Sequence, residues 1–265
     1  MSSRLIAKIE SEEPVFRLAV LIDADNAQAS VIEGILAEVA RFGEATVKRI
    51  YGDFTSSNSA SWKKVLQKYA IKPVQQFAYT TGKNATDSTL IIDAMDLLYT
   101  RKFNGFCLVT SDSDFTGLAT RIREEGLMVW GFGEQKTPEA FRYACHKFIL
   151  TETLRANVEK TAPVASSTST DTTPALQNTA PAVNTTPKFP RDFMLEALGQ
   201  SSDENGWAHL GTFGGYLTRL QPDFDSRVYG FKKLSDLVKA KTDLFVTEER
   251  TAPGQSQKNL YLRAK

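Results

Sequence analysis

The sequence predicts an α/β domain built on a parallel sheet, followed by a small winged-helix module. Three observations predict it. Strand-length apolar runs alternate with longer helical patterns through residues 1–160. A low-complexity segment, 161–187, then breaks both the pattern and the charge density. Residues 188–265 read as three short helices and a terminal hairpin. Two domains suit a chain of 265 residues.

Leu18–Ile22, Thr46–Tyr51, Lys72–Gln76, Phe106–Thr110 and Met128–Phe132 have strand length, and most are β-branched or aromatic. Between them, Gln28–Phe42, Ala60–Tyr69, Thr86–Tyr99 and Phe115–Glu125 repeat apolar residues at helical spacing. Leu90, Ile91, Ala94, Met95 and Leu98, for example, make one stripe. Gly126 follows Glu125 where a helix C-cap is expected. Alternating strands and helices imply right-handed crossovers and a parallel sheet covered on both faces. Ligand-binding groups in such sheets collect at the carboxyl ends of the strands.

Thr161 to Pro187 is rich in Thr, Ser, Ala and Pro, has no aromatic residue and carries one charge, Asp171. Such a run buries too little apolar surface to offset its ordering entropy, so it reads as a stretched linker. Beyond it, Phe193, Leu195 and Leu198 suggest a helix entered through Pro190. Leu210, Phe213, Leu217 and Leu220 make a second helix, stopped before Pro222, and Phe231, Leu234, Leu237 and Val238 a third. Leu244–Glu248 and Asn259–Arg263 read as strands around a Pro253-Gly254 turn.

Composition narrows the function classes. Hydrophobic residues are 42% and charged residues 24%, ordinary for a folded chain. Net charge is +1; residues 1–160 hold 20 basic and 20 acidic side chains, and residues 188–265 hold 12 and 10. Nucleic-acid binding is therefore not announced by charge and must rest on local features. No apolar run approaches the ~18 residues of a membrane span, and Met1 to Glu13 has no secretory h-region. Cys107 and Cys145 are too few for a disulfide framework, so a reducing, cytoplasmic location is expected.

The chemistry lies in acids at predicted strand ends. Leu18–Ile22 runs into Asp23-Ala24-Asp25-Asn26, Thr46–Tyr51 into Gly52-Asp53, and Phe106–Thr110 into Ser111-Asp112-Ser113-Asp114. Asp87 opens the helix that leads into the fourth strand. Gathered anions cost free energy unless a cation or proton compensates. Mg²⁺ or Mn²⁺ suits carboxylate oxygens, and such an ion can serve in-line attack on a phosphodiester. His146 and His209 stand in no ligand-like cluster, so zinc is not expected. An Asp at a strand–helix junction also serves as an N-cap, which accounts for Asp25, Asn26, Ser113 or Asp114 singly. Capping does not explain why Asp23, Asp87 and Asp112 share one rim.

The stretches IDADN (22–26), GKNATDSTLIIDAMDLL (82–98) and LVTSDSDF (108–115) resemble the NYN domain, in particular its LabA-like bacterial branch, over about Arg17 to Glu152. The NYN domain is a relative of PIN-type nucleases. The resemblance implies a Rossmann-like sheet and a metal-dependent ribonuclease site. Asp23, Asp87 and Asp112 would then ligate Mg²⁺ or Mn²⁺, Asn26 would act near the scissile phosphate, and Asp114 would support the water network. Asp53 and Asp93 are weaker candidates; Asp93 lies about 240° round the helix from Asp87. PIN-type nucleases often dimerise, which leaves a homodimer open.

GWAHLGTFGGYLTRLQPDFDSRVYGFKKLSDLV (206–238) resembles the LOTUS domain, also called OST-HTH, over about Lys188 to Ala264. Such domains are winged-helix modules linked to RNA binding, and some bind proteins instead. The pairing implies a nuclease with an RNA-targeting arm; the alternative is a catalytically silent RNA-binding or adaptor protein. Candidate RNA contacts are Lys83 and Asn84 at the start of the Asp87 helix, where anions are favoured, and Arg227, Lys232 and Lys233. Local structural roles are the alternative for each, Arg227 pairing with Asp223 or Asp225. Trp62 and Tyr79 are stacking candidates that ordinary core packing also explains. Asp23-x-Asp25 is superficially like a haloacid dehalogenase phosphatase, but Ala27 stands where that family has Thr or Val.

Overall fold

The structure, a computed structural model, describes residues 15–55, 60–77, 85–158, 189–251 and 258–265. The predicted linker, 161–187, and the Pro253-Gly254 turn lie outside the described residues. The first domain contains strands β1 (Arg17–Asp23), β2 (Glu44–Gly52), β3 (Lys72–Gln75), β4 (Gly105–Val109), β5 (Met128–Gly133) and β6 (Lys147–Leu150). Its helices are α1 (Ile32–Val39), α2 (Ala60–Tyr69), α3 (Ala85–Tyr99), α4 (Thr116–Glu124), α5 (Glu139–Ala144) and α6 (Thr151–Val158).

All strand pairs of this sheet are parallel, in the order β3-β2-β1-β4-β5-β6. The order reverses between β1 and β4, the topological switch point where doubly wound sheets bind ligands. Alternation along a strand separates two cores. Ala19 and Leu21 of β1, with Phe106 and Leu108 of β4, pack with Leu90 and Ala94 of α3 and Leu118 of α4. Leu18, Val20, Ile22, Cys107 and Val109 face the other way, onto Val31, Ile32 and Ile35, Trp62 of α2 and Leu154 of α6. Burial on both faces is why these strands read as unbroken apolar runs.

The expected helix over Gln28–Phe42 is shorter: a 3₁₀ turn, Ala29–Val31, precedes α1. β6, α5 and α6 are additions to the expected elements. Gly126, at φ +77°, ends the α4 segment in the left-handed region, as a C-cap glycine does.

The second domain holds α7 (Arg191–Ser201), β7 (Ala208–His209), α8 (Leu210–Leu220), α9 (Leu234–Ala240), β8 (Phe245–Thr251) and β9 (Lys258–Ala264). Its sheet is antiparallel, β7-β9-β8, with the unexpected β7 completing the wing. Met194, Leu198, Phe213, Leu217, Leu237, Val238 and Leu262 fill its core.

The two domains touch. The carbonyl of Pro222 accepts from the N–H of Phe148 on β6 at 2.8 Å, satisfying a donor on the sheet's edge strand. Arg142 pairs with Asp223 at 2.6 Å and Arg227 with Glu38 at 3.1 Å.

Candidate active site

The carboxyl ends of β1 and β4 lie side by side, and the site is built on both. Asp23 ends β1 fully buried. Its Oδ1 accepts from the Asp25 backbone N–H at 3.0 Å, and its Oδ2 from Asn26 Nδ2 and Thr110 Oγ1, both at 2.8 Å. Burial pushes this carboxyl above its ordinary value, while those bonds pull it back. Three of the roughly four acceptor positions of a carboxylate are thereby filled, leaving one for a cation.

Thr110, 2% exposed, joins the two motifs. Its hydroxyl donates to Asp23 and accepts from the Asp112 backbone N–H at 3.2 Å. Asp112 is the N-cap of a 3₁₀ turn, Ser113–Phe115, its Oδ1 accepting from Asp114 N–H at 2.9 Å. Capping and site membership are therefore not exclusive here. Asp87, in the first turn of α3, approaches from the side. Carboxylate oxygens of Asp87, Asp112 and Asp114 lie within 4.8 Å of one another.

Negative charge accumulates at this rim. Asp87 is pushed up to about 6, first by burial and then by the charges of Asp23, Asp112, Asp114 and Asp25. Among the described residues no lysine or arginine forms an ion pair with Asp23, Asp87 or Asp112. An all-oxygen, multiply anionic donor set fits a hard divalent cation. The chain's histidines are elsewhere: His146 Nδ1 accepts from Val129 N–H and His209 Nδ1 from Gly211 N–H.

Comparison with known families gives the class of the chain. Residues 17–152 match the NYN domain, and residues 186–257 match the OST-HTH/LOTUS domain. The chain belongs to the NYN domain family. NYN is a PIN-like nuclease domain whose relatives generally use divalent metals, and OST-HTH is an RNA-binding module that sometimes binds protein partners. Among curated proteins none matches this NYN chain. Among solved structures it is similar to an uncharacterized protein from Nitrosomonas europaea, 64% identical over 37% of this chain and 92% of that one, with TM-score 0.29. A protein of unknown function from Vibrio parahaemolyticus is 16% identical over 52% of this chain and 93% of that one, at TM-score 0.45. A protein from Chromobacterium violaceum is 32% identical over 29% and 82%, at TM-score 0.24.

Of the residues picked from the sequence, Asp23, Asn26, Asp87, Asp112 and Asp114 come together. The tight oxygen group, however, contains Asp114 and not Asp23. Asn26 gives its amide hydrogen to Asp23, which makes it a positioning group for that carboxylate. Asp53 lies apart from them in a turn, accepting from Thr55 N–H and Gln75 Nε2. Asp93 is taken up by Arg49 and the Tyr51 hydroxyl. Trp62 is core. Lys83, Asn84 and Tyr79 lie outside the described residues.

Arg227 does not present a free guanidinium to RNA. Its Nε and Nη2 donate to Asp225, and its Nη1 and Nη2 to Glu38 of the first domain. Lys232 and Lys233 are exposed. Thr110 escapes sequence reasoning because a threonine ending the run LVT has no signal that separates it from ordinary β-branched strand composition.

No described helix is long and apolar enough to cross a membrane.

Proposed function

We propose that this chain is a divalent-metal-dependent ribonuclease whose C-terminal module helps select RNA. The observation that carries this reading is the carboxylate group at the β1/β4 switch point, where burial and then crowded charge raise Asp87 to about 6. Asp23, Asp87 and Asp112 would hold Mg²⁺ or Mn²⁺, with Asp114 beside them. When bound, the ion supplies positive charge against the phosphodiester and lowers the pKa of water. The IDADN and SDSD motifs favour the LabA-like branch.

The chain's own residues have distinct tasks. Thr110 and Asn26 fix the Asp23 carboxylate, so its geometry needs no reorganisation when charge develops. Asp114, exposed at the mouth, takes the proton of the attacking water. A P–O bond forms to that water, the P–O bond to the leaving ribose oxygen breaks, and solvent protonates the leaving oxygen. The gathered anions of the rim repel RNA in the absence of a cation, which makes binding at the rim itself metal-dependent.

The test is cleavage of a labelled RNA by purified chain with Mg²⁺ or Mn²⁺. Asp112→Asn should abolish cutting while leaving the melting profile cooperative. Equal residual cleavage by both proteins would assign the activity to a contaminant and leave an adaptor role.

A further inference from the structure

A second charged site lies between the domains, at the other end of the sheet. Lys147 opens β6, and Arg41 lies between the last turn of α1 and the start of β2. Both therefore stand at the amino-terminal edge of the strands, opposite Asp23 and Asp112. Facing them, the second domain contributes Arg227, Lys232 and Lys233, and together they line a crevice of about 340 Å³.

The charges in this crevice do not balance. Its lining holds five cationic side chains against two carboxylates, Glu38 and Asp225. Both carboxylates are already engaged by guanidinium groups: Glu38 by Arg41 at 3.0 Å and Arg227 at 3.1 Å, and Asp225 by Arg227 at 2.6 Å. Lys147, Lys232 and Lys233 are left with no ion pair among the described residues. Lys147 is half-buried, its Nζ 5.5 Å from the centre of the Phe42 ring, and burial lowers its ordinary basicity. Asp225 and Glu38 offset only part of that burial, so a half-buried ammonium without an ion pair still carries a cost that an anionic ligand reduces.

We propose that this interdomain crevice is a second RNA-binding site, in which Lys147, Lys232 and Lys233 hold phosphates of a single strand whose cut segment lies at the acidic rim. The identification of RNA rests on the ribonuclease reading above; the anionic character of the ligand rests on the crevice alone. A strand of seven residues such as β1 spans roughly 23 Å, so only a polymer reaches both ends of the sheet. The Arg227–Glu38 and Arg142–Asp223 pairs keep the cations of the two domains facing one another.

The test is fluorescence anisotropy of a 5′-fluorescein-labelled single-stranded RNA, titrated with the full chain in EDTA at several salt concentrations. Lys147→Gln and the Lys232→Gln/Lys233→Gln double variant should each weaken binding severalfold. The salt slope should flatten by about 0.7 for each phosphate that a variant no longer neutralises. Lys147→Arg, which keeps the charge, should bind like wild type and excludes a folding defect as the cause. If only the double variant weakens binding, RNA lies on the C-terminal surface and the crevice assignment is overturned. If none of the variants changes binding while wild type binds and cuts RNA, the crevice serves another anion, such as an acidic protein segment, and only this inference fails. Wild type that neither binds nor cuts RNA overturns the ribonuclease reading as well.

Discussion

Thr110→Val tests how the two acidic motifs are joined. The substitution removes one hydroxyl, and almost no volume, from a side chain that is 2% exposed. Two bonds go with it: the donation to Asp23 Oδ2 at 2.8 Å and the acceptance from Asp112 N–H at 3.2 Å. A hydrogen bond to a charged group contributes about 1.5–3 kcal/mol, and a bared backbone N–H costs about 1 kcal/mol more. The expected loss is about 2–4 kcal/mol, which lowers Tm by roughly 6–12 °C in a domain of this size. Loss of the Thr110 bond also lets Asp23 protonate more easily, because that bond holds its carboxyl down. Thr110→Ser keeps the hydroxyl and gives up one methyl, worth about 1 kcal/mol. Calorimetry and RNA cleavage on the three proteins decide the matter. The Ser variant should retain most of both properties and the Val variant little of either. Val and Ser variants that melt together and cut equally would refute the bridging role.

Two further outcomes follow from the same geometry. Because Asp87 titrates near 6, its ionisation opposes folding: the stabilisation is full below about pH 4 and is lost as pH rises through 6. Discounted for its partial exposure, the effect is about 1 kcal/mol. Asp87→Asn should flatten the metal-free melting curve between pH 4 and 8 and remove the Tm increase caused by Mn²⁺; a wild-type Tm that climbs through that window more steeply than the variant's would contradict this. Gly133→Ala places a Cβ 2.6 Å from the Thr110 carbonyl and 2.7 Å from Thr137 Oγ1. It should cost about 1–3 kcal/mol and slow cleavage through Thr110, and melting with unchanged Tm would show that the backbone there yields freely.

The parallel sheet is legible in the sequence because β1, β4 and β5 are buried on both faces and leave continuous apolar runs. The stretch from Glu134 to Val158 is not. α5 is six residues and β6 four, too short for a period to stand out, and β6 is an edge strand stabilised partly by Pro222 from the other domain. The site acids are legible because each sits where a strand must end. Their mutual geometry is not, because Thr110, 87 residues along the chain from Asp23, connects that residue to Asp112. Arg227 shows the limit from the other side. Its pairing with Asp225 follows from proximity along the chain, whereas its bond to Glu38, 189 residues away, depends on domain docking.

A crystal of the full chain soaked in Mn²⁺ gives the most direct answer. An ion held as proposed gives an anomalous peak at the β1/β4 switch point, within bonding distance of Asp112 and Asp87 and reaching Asp23 or Asp114. A soaked crystal with no peak there, or with those side chains turned onto lysines or arginines, would contradict it.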